Sequence, residues 1–93
     1  MGIEYKITVE TQIHTKEAIR PLLSKPPHFL SHDEECDLYN YGKAEIACSV
    51  SIETDGFVLC DNLNQRSLAR SVLNTLVERA KQSGLGVADV LEM

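Results

Sequence analysis

The one ligand-like spacing in the chain is His28-x-x-x-His32-x-x-x-Cys36, with Asp33, Glu34, Glu35 and Asp37 beside it. On a helix, positions four apart stack along one face, and two imidazoles with a thiolate make a donor set suited to zinc or another transition metal. Pro26-Pro27 lies immediately upstream and no apolar stripe runs through the segment, so a long helix is disfavoured there. Structural zinc also takes paired ligands on a tight knuckle. Residues 28 to 35 are therefore read as a solvated loop with incidental histidines. Metal or small-ligand binding through His28, His32 and Cys36 is the alternative.

Nucleophilic catalysis would need a Cys or Ser activated by a nearby base, and the histidines on offer are His14, His28 and His32. Cys48 falls between Ile46 and Val50 on the apolar alternation of a strand and reads as an inert core thiol, while Cys60 can face either way. The chain holds no Gly-x-Ser-x-Gly turn, no His-Glu-x-x-His and no Gly-rich phosphate loop. We expect a binding protein without a cofactor rather than an enzyme.

Charge carries more information than any motif. The net charge is −5 over 93 residues, which opposes association with phosphate backbones and anionic membranes. The charge is also uneven along the chain. Residues 33 to 61 hold Asp33, Glu34, Glu35, Asp37, Glu45, Glu53, Asp55 and Asp61 against Lys43 alone, whereas residues 62 to 83 hold Arg66, Arg70, Arg79 and Lys81 against Glu78. An acidic strand carrying tyrosines suits protein docking, because tyrosine joins apolar area to a polar tip and opposite charge speeds encounter. The expected partner-binding residues are Asp33, Glu34, Glu35, Asp37, Tyr39 and Tyr41, on an inhibitor or immunity-type module that meets a basic protein. Nucleic acid is not the expected partner, and a monomer or homodimer is.

The elements that must hold these residues follow from periodicity. Ile3, Tyr5, Ile7 and Val9 alternate with polar residues as a strand with one wet face. Thr15 starts a short helix with Ile19, Leu22 and Leu23 on one side, and Pro21 predicts a kink or a restart within it. Cys36 to Tyr41 reads as a strand with Asp37, Tyr39 and Tyr41 on one face, and Gly42-Lys43 as its turn. Ala44 to Ile52 is the longest clean alternation, Asp55-Gly56 is a hairpin turn signal, and Phe57 to Asp61 supplies the partner strand. Asn64 is placed to cap a helix whose apolar positions run from Leu68 to Ala80, with Gly84 at its left-handed end. Residues 87 to 93 fit either a helix or an edge strand.

The expected architecture is one α+β domain over residues 1 to 93, of order β-α-β-β-β-α. A three- to four-stranded antiparallel sheet with both helices on one face would bury every apolar face. The N-terminal residues carry charges within an alternating pattern, unlike a secretory signal. Cys36, Cys48 and Cys60 are too few and too widely spaced for a disulfide framework, so a reducing cytoplasm is expected.

Overall fold

A computed structural model describes residues 2–12 and 15–93. The elements are β1 (Ile3–Thr8), α1 (Thr15–Leu23), β2 (Phe29–Asp33), β3 (Leu38–Tyr41), β4 (Cys48–Glu53), β5 (Gly56–Asp61), α2 (Arg66–Gln82) and β6 (Asp89–Glu92). The expected three or four strands are thus corrected to six, in the chain order β-α-β-β-β-β-α-β. They form one antiparallel sheet in which β2, β3, β4 and β5 follow one another, β1 lies beside β5, and β6 forms the far edge beside β1.

Two of the differences have local physical causes. The segment expected to be a loop contains β2, and its period of two is broken by a bulge at Leu30 that sets Phe29 opposite Tyr41 but Ser31 opposite Asn40. One extra residue hides the alternation from a sequence reading. The fourth strand starts at Cys48 instead of Ala44, because Ala44 takes φ of 64° and the chain folds back so that Ala47 N donates to Tyr41 O at 2.7 Å. Residues 42 to 47 are a loop, and Ile46 is exposed within it.

The tail forms β6. Pro21 lies inside an unbroken α1, and α2 begins one residue later than Asn64 as its cap predicts. Gln65 occupies the N-cap without a side-chain cap bond, while Asn64 Nδ2 donates to Ile46 O at 3.2 Å. Gly84 has φ of 88°, the left-handed value expected past the helix end. In the β4–β5 hairpin the two turn residues are Thr54 and Asp55, with Gly56 already paired to both Glu53 and Thr8. A Cβ on Gly56 would collide with the Ile7 carbonyl oxygen, and its φ of 156° is unfavourable for an L side chain, so this strand junction requires glycine.

Residues opposite one another across antiparallel strands share a face. One face carries Tyr5, Ile7, Tyr39, Tyr41, Cys48, Val50, Phe57 and Leu59, and these join Ile19 and Leu23 of α1 and Val72 and Leu76 of α2 in a single buried cluster. Both helices therefore cover the same face of the sheet. No helix among the described residues is long and apolar enough to cross a membrane.

Candidate functional site

The residues expected to bind a partner divide between two environments. Asp33, Glu34 and Glu35 lie at the β2–β3 turn and are exposed, with Asp33 Oδ1 accepting from the backbone nitrogens of Glu35 at 3.0 Å and Cys36 at 3.3 Å. That bond pattern is an Asx turn, and it orients the hairpin tip. Tyr39 and Tyr41 are 5 % and 0 % exposed, so they are unavailable to a partner. Tyr39 and Tyr41 share a strand face as expected, without Asp37, which precedes the strand, and that face is the one the helices cover.

These tyrosines act as anchors within the molecule. Tyr41 OH donates to Leu23 O, an end carbonyl that α1 cannot pair internally. Arg20 Nη1 donates to Tyr39 OH at 3.1 Å and, together with Nη2, grips both oxygens of Asp37 at 2.8 and 3.0 Å. His32 Nε2 also lies 2.8 Å from Asp37 Oδ1, and its ring stacks on Tyr39 with centroids 4.1 Å apart. The Arg20 guanidinium, with help from His32, holds the Asp37 carboxyl well below the usual carboxylate range. Asp37 is a turn residue with φ of 54°, so the strand expected from Cys36 starts at Leu38 instead. Asp37 is thus engaged with α1 and β2.

The proposed metal set does not assemble. His28 belongs to the loop before β2, His32 faces Tyr39, and Cys36 sits in the exposed turn. Among the described residues no group of three or more His, Cys, Asp or Glu side chains is placed to hold a metal ion. His28 instead lines a depression of about 400 Å3 with Lys43, Gln65, Arg66, Ser67, Leu68 and Ser71. His14, a candidate base, lies outside the described residues. The Cys48 thiol is buried and pushed up to about 12 by desolvation, and burial also raises Cys60, so neither is an activated nucleophile.

The surface that sequence reasoning missed is the second face of the sheet. One cross-strand row runs Ser31, Asn40, Ser49, Cys60 and Glu4, and the next runs Asp33, Leu38, Ser51, Val58, Lys6 and Leu91. A third holds Glu53, Gly56, Thr8 and Asp89. Asn40 joins its row by donating from Nδ2 to Ser31 Oγ at 3.3 Å and accepting from Ser49 Oγ at 2.7 Å. Asn40 supplies the buried side chain on this face among the described residues, and no helix packs over it.

Small residues occupy the middle of this open face, and the carboxylates Glu4, Asp33, Glu53 and Asp89 surround them. The cation there, Lys6, is engaged by Asp55 at 2.5 Å. The helix layer has the opposite sign: Lys16, Arg20, Arg66, Arg70, Arg79 and Lys81 outnumber Glu17 and Glu78. The uneven charge along the chain thus becomes, in part, a charge difference between the two layers, with Asp37 and Asp61 on the helix side as partners of Arg20 and, at 3.6 Å, Arg66. The signal that could have found it was the half of each strand's alternation turned away from the core, which reads Glu4, Lys6 and Thr8 in β1, Ser49, Ser51 and Glu53 in β4, and Gly56, Val58 and Cys60 in β5. No protein-family model, curated protein or solved structure matches the chain.

Proposed function

We propose that the protein is a binding module that docks its open sheet face, with the adjoining Asp33-Glu34-Glu35 turn, onto a basic protein partner. The observation that carries this reading is the segregation of charge by layer. Antiparallel sheets can leave one face in water, and here that face combines a small-residue centre with a carboxylate border. A small-residue centre lets a partner approach closely, and the border steers a basic surface toward it and disfavours acidic ones. The binding residues in this reading are Glu4, Asp33, Glu34, Glu35, Glu53 and Asp89, and the buried Tyr39 and Tyr41 are withdrawn from the site. Three unpaired thiols fit a module working in a reducing cytoplasm.

The test is titration of the labelled protein with an arginine-rich peptide, followed by NMR. Shift changes are expected at Ser49, Ser51 and Val58, with affinity falling as salt rises and lost in the combined variant Glu4→Gln, Asp33→Asn, Glu53→Gln, Asp89→Asn. Shifts confined to the helix layer, or affinity unchanged in that variant, would overturn the reading.

A further inference from the structure

The two edges of the sheet are protected unequally. At the β2 edge the bulge at Leu30 interrupts the ladder, a device that discourages strand addition. Within Asp89–Glu92 the β6 edge has no bulge, proline or lysine, although Ala88 just before it turns its N–H inward to Thr8 O at 2.8 Å, and its apolar side chains are exposed: Val90 44 %, Leu91 56 % and the adjoining Met93 60 %. Its outward backbone groups can be identified. Met93 N donates to Glu4 O at 2.8 Å, directly across the ladder from it, so Leu91 and Asp89 turn their N–H and C=O groups toward β1. Val90 and Glu92, which alternate with them, turn theirs away from the sheet.

We infer that β6 is a pairing edge for a second copy of this chain, joining two sheets through an antiparallel β6–β6 contact about a two-fold axis. The hydrogen-bonding alternation and the charges together select the register. Registers centred on Asp89 or on Glu92 would set a carboxylate directly against its own copy, which is destabilising. Centring on Val90 sets Val90 against Val90, Asp89 against Leu91 and Glu92 against Ala88. Centring on Leu91 sets Leu91 against Leu91, Val90 against Glu92 and Asp89 against Met93. Both keep every carboxylate opposite an apolar residue and satisfy the outward groups of Val90. Such a contact is isologous and closes after two copies, so it does not propagate into a fibre. A four-residue strand makes it a weak contact, at the small end of specific interfaces.

Sedimentation of the full chain at concentrations up to about 1 mM tests the pairing. The wild type is expected to shift from monomer to dimer with concentration, and more readily at high salt, because two copies of charge −5 repel each other. Val90→Asp opposes acids in both allowed registers, and Val90→Pro removes the outward N–H. Each is expected to stay monomeric with an unchanged circular dichroism spectrum, whereas Leu30→Asp at the other edge dimerises like the wild type. A wild type that remains monomeric throughout, folded Val90 variants that still dimerise, or loss of the dimer in Leu30→Asp would overturn the inference. The reading of the open face as a docking site for a basic protein fails separately, since that binding weakens with salt while this pairing strengthens.

Discussion

Tyr41 reaches from the third strand to the end of the first helix, its buried hydroxyl donating to the Leu23 carbonyl oxygen. Removing the hydroxyl leaves a buried acceptor without that partner, at a cost of about 1–3 kcal/mol. Tyr41→Phe is expected to lower the denaturant midpoint by a corresponding amount without changing the slope of the transition. An unchanged midpoint would mean that another group satisfies Leu23.

The Arg20, Asp37 and His32 contacts predict a pH dependence with a definite sign. Asp37 has its folded pKa depressed, so its contribution is complete above the unfolded value of about 3.9 and is lost as pH falls through the folded value. Asp55, lowered by its bond from Lys6, behaves in the same sense. The stability gap between wild type and Asp37→Asn should therefore narrow between about pH 4 and pH 2, measured by urea unfolding at each pH. Both carboxylates are substantially exposed, so the effect is modest and shrinks with added salt.

Thiol labelling separates the cysteines. Cys36 is exposed in its turn and should react at once with a disulfide reagent, whereas Cys48, buried and raised to about 12, should react only on the timescale of unfolding. Fast labelling of all three in the native protein would contradict the buried position of Cys48.

Gly56→Ala places a Cβ against the Ile7 carbonyl at a positive φ, and no flexible side chain can yield there. The expected loss is about 1–3 kcal/mol or more, read from thermal or urea unfolding. A neutral result would require β1 to move away from the hairpin, which would appear as lost amide protection in β1.

Elements with sustained periodicity were legible. β1 and α2 could be read from alternation and from the Leu68 to Ala80 stripe, and Asp55-Gly56 marked the β4–β5 hairpin one residue beyond its actual turn at Thr54 and Asp55. The strand containing His32 was not, because the bulge at Leu30 breaks its period. The acidic run from Asp33 to Asp37 was legible from composition, but the burial of Tyr39 and Tyr41 was not. Alternation put Tyr39 and Tyr41 on one face without saying which face α1 would cover, and one side of the sheet buries what the other displays. The carboxylates that border the open face come from strands far apart in the chain, such as Glu4 and Glu53, and only the sheet order brings them together.

That sheet order also implies a sequence of events during folding. Strands β2 to β5 follow one another through short connections and can pair as the chain collapses, but β1 must find β5 across about fifty residues, as the Lys6 to Asp55 bond illustrates. The β6 strand has nowhere to pair until β1 has arrived. The N-terminal strand is thus the keystone of a late step: until it docks, β5 is itself an open edge, and a nascent chain carries its exposed template there before it carries one at β6.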